Sequence, residues 1–284
     1  MTQQRHPDQP AAWANQTDLL IGCFQRYRAA LDSLPDESHR PLLVKPSFHR
    51  HLTFLTLLEG WGTVAETHLA FKLTNEINNF GQALQKLTAW ESVLNSAEVN
   101  EKHELLIEFV TPLAIHVLNL PFALKNRFAF AAMRLSDEVN QFGNSHPVHL
   151  ERTSDEMKTP EWKLMWRYGA HWHACAGAKE SVEKIVPNGS RRVGNIHAYR
   201  DRFVHRIPDY IGLGSLEKTS VERSERGWKV TTSNLPPLNL QDIVRDLIPA
   251  HEACIQAHAA LCKLAEEHWQ HLHPLLNSRR APVI

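Results

Sequence analysis

Leu73-Thr74-Asn75-Glu76-Ile77-Asn78-Asn79-Phe80-Gly81-Gln82-Ala83-Leu84-Gln85-Lys86-Leu87-Thr88-Ala89-Trp90-Glu91-Ser92-Val93-Leu94 places apolar side chains at Leu73, Ile77, Phe80, Leu84, Leu87 and Leu94. That three-four rhythm makes one stripe on a helix. Leu55, Leu58, Trp61 and Ala65 extend it upstream, so the spacing predicts one long helix from about Leu52 to Leu94. Asn95 and Ser96 read as a turn. A second long helical run follows from Glu98 to Gly143, with Leu124, Phe128, Ala131, Leu135, Val139 and Phe142 as its stripe. Pro112 and Pro121 should kink or break it. A short turn between two long helices implies antiparallel packing.

The same pattern continues to the C-terminus. Asn144–Pro160 reads as a polar connection. A helix is expected from Pro160, a residue suited to a first turn, to Ile185, ended by Pro187-Asn188-Gly189. A short helix is expected over Val193–Arg206, before Pro208. In Ser215–Asn234, Val221, Trp228 and Val230 flank Glu225-Arg226-Gly227, which predicts one small β-hairpin. Asn239–His273 is the last long helix. The fold class expected is all-α, an elaborated antiparallel helical bundle with that hairpin. Residues 1–16, polar and interrupted by Pro7 and Pro10, read as a disordered tail ahead of a single domain over 17–284.

Composition narrows the function classes. Lys+Arg and Asp+Glu both total 31 in 284 residues, so no global field draws the chain to nucleic acid or to a membrane. A nucleic-acid site would have to be a local patch. Four cysteines, Cys23, Cys175, Cys254 and Cys262, do not make a disulfide framework in a chain this long and read as reduced thiols. The first residues lack an apolar core of signal-peptide length. The apolar stretch Phe109–Leu124 is broken by Pro112, His116, Asn119 and Pro121. The expectation is a cytoplasmic protein without a membrane partner.

The segment Asn195-Ile196-His197-Ala198-Tyr199-Arg200-Asp201-Arg202-Phe203-Val204-His205-Arg206 carries the chemical signal. With nineteen arginines and eighteen histidines, a loose Arg-x(4–6)-His pattern is uninformative; it also occurs at Arg167/His173, Arg191/His197, Arg192/His197 and Arg245/His251. The tighter Arg-(Asp/Asn)-x-x-x-His should arise by chance only about 0.1 times in this composition. It occurs once, at Arg200-Asp201 to His205. Arg245-Asp246 to His251 is a looser match that contains Pro249. Arg191, Arg192, Arg200, Arg202 and Arg206 face only Asp201 as a nearby acid, a patch suited to a phosphate backbone.

In an all-α context, this motif resembles the Arg-x(4–6)-His motif of HEPN domains, a family of nucleotide-binding helical bundles in which a polar residue commonly follows the Arg. The resemblance covers about fifteen residues and the fold class. Where many small toxin members carry Gly-Tyr after the His, Arg206-Ile207 stand here. The resemblance implies a HEPN-like domain and a metal-independent endoribonuclease, in toxin or antiviral defence. Its catalytic residues would be Arg200, His205 and Asp201, and Arg191, Arg192, Arg202 and Arg206 would bind RNA. It also implies a homodimer in which two motifs meet, and an antitoxin or other protein partner. The chemistry is coherent. His titrates near neutral pH and can act as acid or base. Arg offers a planar fork to phosphate oxygens, and Asp201, one turn before His205, could orient the imidazole. On one helix Arg200 and His205 lie about 140° apart, so one subunit makes a poor site. The runner-up reading is a non-catalytic helical module that binds RNA, a nucleotide or a protein.

A second set, His251, Cys254, His258 and Cys262, shares one helical face. Imidazole and thiolate can hold zinc, but Leu247, Ala265, Trp269 and Leu272 continue the same face, which is a core pattern, and one straight helix cannot close four ligands around an ion. No metal and no cofactor is expected. His171-Trp172-His173-Ala174-Cys175 is weaker still. The group Trp162, Trp166, Tyr168 and Trp172 reads as core. The sequence holds no Glu-x-x-His of a di-iron bundle, no phosphate-binding glycine loop and no nucleophile elbow.

Overall fold

The computed structural model describes residues 9–35, 65–142, 163, 165–186, 211–212, 216–224 and 227–280. Within them the chain is built from helices and one hairpin, an all-α bundle as its periodicity requires. Helix α1 spans Gln9–Asp32 and begins inside the segment expected to be a tail. A π-helical segment, Ala65–Leu73, leads into α2, Thr74–Ser96. Helix α3, Val99–Leu105, passes through a π-helical turn, Leu106–Val110, into α4, Thr111–Phe142. A 3-10 turn at Trp166–Gly169 precedes α5, His173–Glu183. Strands β1, Leu216–Ser224, and β2, Gly227–Leu235, lead to α6, Leu240–Arg280.

The described residues group into two compact units. The first lies within Met1–Arg40, Gln82–Leu118 and Gly194–Leu247, the second within Pro41–Gly81, Asn119–Val193 and Ile248–Ile284. Helices α2, α4 and α6 contribute to both.

The stripe that predicted α2 is the buried one. Leu73, Ile77, Phe80, Leu84 and Leu87 are buried, as is Ala65 upstream, whereas Leu94 is half-buried. The upstream part of the expected helix before Ala65 lies outside the described residues. Leu124, Phe128, Ala131, Leu135 and Val139 of α4 are buried too. Pro121 does not end α4, which continues through it. Its missing N–H forfeits one bond, to the Val117 carbonyl, and the surrounding apolar packing outweighs that loss. Just before Pro112 the backbone widens instead, and the Thr111 N–H reaches back five residues to the Leu106 carbonyl, a local adjustment that lets a helix run on into a proline.

Other boundaries are corrected. The helix expected over Pro160–Ile185 is interrupted at Ala170–Trp172. Trp172 is extended (φ −83°, ψ 132°) and α5 starts after it. The Glu267 carboxylate of α6 accepts from the His173 and Ala174 N–H groups at 2.9 and 2.7 Å, so an anion from 93 to 94 residues away caps this N-terminus. At the other end, the buried Lys125 ammonium of α4 donates to the Val186 carbonyl at 3.1 Å, just past α5. The last helix runs on past His273 through Pro274 to Arg280.

In the first unit α1 is fixed by a run of parallel rings. Tyr27 stacks on Trp90 at 4.3 Å between centroids, and Trp90 on Phe109 at 5.0 Å. Arg26 pairs with Glu101 at 3.2 Å. The expected hairpin is present: Val221 pairs with Val230 and Arg223 with Trp228 in an antiparallel register that closes at Ser224 and Gly227.

By length and composition, one window within Val99–Gln141, of mean hydropathy 1.6, could cross a membrane, and 50% of that window is buried inside the protein.

Candidate functional site

Arg191, Arg192, Arg200, Asp201, Arg202, His205 and Arg206, and with them the helix expected over Val193–Arg206, lie outside the described residues. The looser match is described. Arg245 pairs with Asp242 at 2.8 Å and with Asp246 at 3.3 Å. His251 is half-buried, with Nε2 3.1 Å from the Ile77 carbonyl. That imidazole lies against α2 where residue 81 is glycine; a Cβ there would sit 3.0 Å from His251 Nε2. Its role is packing, which explains why it falls on an apolar stripe.

The Cys/His face of α6 behaves the same way. Leu247, Cys254, His258, Ala265 and Leu272 have no exposed surface. His258 Nε2 is 3.1 Å from the Leu69 carbonyl and 3.2 Å from the Thr74 hydroxyl oxygen. A carbonyl only accepts, so Nε2 carries the proton. Nδ1 is then the acceptor and faces the Cys262 thiol at 3.6 Å. The Thr74 hydroxyl donates onward to Leu69 at 3.3 Å. This chain ties α6 to the π-helical segment. Burial lowers the His258 pKa, against a smaller rise from its bond to Leu69, and pushes the Cys262 thiol up to about 12. The pair is therefore a neutral thiol and a neutral imidazole. A Cys–His nucleophile needs a thiolate and an open approach, and this pair has neither. Among the described residues no group of three or more His, Cys, Asp or Glu is arranged to hold a metal ion.

The His171-Trp172-His173 segment meets α6 through rings and not through ligands. Trp172 packs edge-on against His268 at 4.6 Å and His271 at 5.3 Å. His268 is fully buried, and burial, with His171 and His271 adding to it, holds its pKa down at about 3. Trp166 of the expected aromatic core group is buried, Tyr168 and Trp172 are half-buried, and Trp162 lies outside the described residues.

Among the described residues an open cleft of about 390 Å³ lies in the first unit. Part of its lining comes from the end of α2 and the start of the next helical run. Glu91 and Asn95 stand one turn apart on α2, on the same face, and Lys102 and Leu106 follow. Gly212 and Pro236-Pro237-Leu238, ahead of α6, complete the lining. The Gly212 N–H donates to the Leu238 carbonyl at 2.9 Å, and Ile211 pairs with Leu238 in a parallel bridge. Gly212 is required there. Its φ is +75°, and a Cβ would fall 2.6 Å from Leu106 Cδ2. Pro236 and Pro237 stiffen the wall by fixing φ. Asn239 then caps α6, its side-chain oxygen accepting from the Gln241 N–H at 2.9 Å. Burial, and after it Asp242, raise the pKa of Glu91. No side-chain hydrogen bond or ion pair joins Glu91, Asn95 or Lys102 to another described residue. The cleft thus combines apolar walls with three polar groups whose side chains bond to no other described residue.

Sequence reasoning missed this cleft. Glu91 and Asn95 fall on the polar side of the stripe that predicted α2, where charges are commonplace. The usable signals were a Pro-Pro pair immediately before an Asn-capped helix and a glycine in a chain with only twelve.

In comparisons with known proteins, no family model matches this chain, and no curated protein and no solved structure matches it either.

Proposed function

We propose that this chain is a HEPN-like helical protein that cleaves RNA without a metal ion, working as a cytoplasmic homodimer apart from the membrane. The observation that carries this reading is the single Arg-Asp-x-x-x-His match, Arg200-Asp201 to His205, set in a chain whose described residues form an all-α bundle. His205 takes the proton of the RNA 2′-hydroxyl or returns one to the leaving 5′-oxygen. Arg200 holds the phosphate oxygens as charge develops, and Asp201 orients the imidazole. Arg191, Arg192, Arg202 and Arg206 add backbone affinity. Two copies of the motif, one from each protomer, complete the site. A role in toxin or antiviral defence, with an antitoxin or other partner protein controlling activity, belongs to the same reading.

A binding module without catalysis is the second reading, favoured by the described cleft, whose residue Gly212 follows His205 by seven positions in the chain. Substitution separates the two. His205→Ala and Arg200→Ala should each abolish cleavage of a structured RNA while leaving helicity and dimer intact, since loss of a general acid or base costs roughly a hundredfold to ten-thousandfold. Arg191→Ala or Arg192→Ala should cost affinity and reduce its salt dependence. If wild type cleaves nothing, or His205→Ala cleaves as well as wild type, the binding module replaces the ribonuclease.

A further inference from the structure

The cleft in the first unit has a chemistry that selects its ligand. Its walls, Leu94, Leu106, Pro236, Pro237, Leu238 and Leu240, are apolar and built largely from rigid or branched side chains. Such walls suit a flat ring. A volume of about 390 Å³ lies within the range of sites that hold small organic ligands, about 300–1,000 Å³. The polar lining includes one acid, Glu91, and one base, Lys102. Glu91 lines the cleft, its pKa raised by burial first and by Asp242 after it, and its carboxylate calls for hydrogen-bond donors and repels acceptors. Lys102 comes from a different helix and offers only donors. Asn95, one turn from Glu91, can do either.

We propose that this cleft binds a guanine base, Glu91 accepting from its N1–H and exocyclic N2 amine and Lys102 donating to its O6 and N7 edge. Guanine is the standard nucleobase that presents two adjacent N–H groups on one edge and two adjacent acceptors on another. Adenine offers Glu91 a single amine beside a ring acceptor, which a carboxylate repels. Uracil offers one N–H between two acceptors. The choice of a nucleobase over other donor-rich rings rests on the RNA reading. The donor and acceptor types and the apolar lining rest on the cleft itself. Asn95 adds a hydrogen bond at either edge, and Gly212 keeps the slot open.

The test is equilibrium binding to the full chain by calorimetry in EDTA, with guanosine, inosine and adenosine 5′-monophosphates as probes. Guanosine 5′-monophosphate should bind. Inosine 5′-monophosphate, which lacks only the N2 amine, should bind about tenfold or more weakly, the cost of one hydrogen bond to a charged group. The adenosine nucleotide should not compete. Glu91→Gln should lose about tenfold or more in affinity with unchanged thermal melting, and Lys102→Ala should lose less. Equal binding of the guanosine and adenosine nucleotides, or of the guanosine and inosine nucleotides, overturns the proposal, as does no binding at all. Binding of agmatine in place of guanosine 5′-monophosphate also overturns it and makes the cleft a cation site. The nucleotide series uses wild-type protein alone, so misfolding of Glu91→Gln leaves the test intact. If the guanosine nucleotide binds while RNA is never cleaved, the pocket stands and the ribonuclease falls. If RNA is cleaved and no guanosine nucleotide binds, the pocket falls alone.

Discussion

At the scale of single residues, burial decides protonation, and protonation decides what the Cys and His residues do. All four cysteines are buried. Burial pushes Cys175 up to about 11 and Cys262 up to about 12, so neither is a thiolate at neutral pH. Native protein should react with a thiol reagent far more slowly than protein in denaturant, and rapid modification of any cysteine in the native state would contradict the packing. The histidines point the same way. An unfolded His takes up its proton as pH falls through about 6.5, whereas His268 does so only near 3. His258 is shifted down as well. A depressed imidazole pKa gives stability that is present above 6.5 and lost as pH falls below it. For His268 that loss is on the order of 1 kcal/mol per pH unit below 6.5. Urea melts should weaken from pH 7 to pH 5, and His268→Gln should flatten that dependence. A midpoint independent of pH over this range would count against a neutral buried His268. The stripe position of His251, His258 and Cys262 made their core role legible in the sequence. Their individual acceptors were not, because the Ile77 and Leu69 carbonyls stand 174 and 189 residues away.

At the scale of elements, periodicity was legible and termini were not. Six positions of the Leu73–Leu94 run sufficed to place α2, since a buried stripe needs the 3.6-residue period wherever it packs. The hairpin was legible because strand-forming residues on either side of a glycine-containing turn are a local signal. The start of α5 was not, because its cap is Glu267 on another helix. No local signal in His171-Trp172-His173 announces it. Glu267→Ala should therefore destabilise the fold by roughly 1–2 kcal/mol without changing its helix content by more than the first turn of α5. An unchanged denaturation midpoint would show that the carboxylate is dispensable there. Just ahead of α5, Gly169 sits where a Cβ would fall 2.7 Å from Cys175 Sγ and 2.8 Å from Ser136 Oγ. Gly169→Ala should cost about 1–3 kcal/mol through overpacking, and a neutral substitution would refute that close approach. Pro121 and Pro274 misled in the opposite direction, while Pro249 was already expected inside the last helix. Pro121, Pro249 and Pro274 all sit inside helices, because long apolar faces outweigh a lost hydrogen bond.

At the scale of the whole molecule, two compact units draw on interleaved stretches of one chain, a division that no composition shift or linker marks in the sequence. The candidate cleft depends on that interleaving, since its walls come from residues 91–106 and 212–240. A local motif search could not assemble it. The Arg200/His205 motif is the reverse case: legible as six residues, and outside the described ones. If two copies of the motif must meet, the chain should be a homodimer at micromolar concentration by light scattering, and a monomer would remove the composite site. The most direct measurement is the chemistry of the cut RNA ends. Attack by the 2′-hydroxyl, with His205 moving protons and no metal in the step, leaves a 2′,3′-cyclic phosphate on one product and a 5′-hydroxyl on the other. Wild-type protein in EDTA should generate those ends from a structured RNA, and His205→Ala should not. Products ending in 3′-hydroxyl, cleavage that EDTA abolishes, or no cleavage at all would contradict a metal-independent ribonuclease.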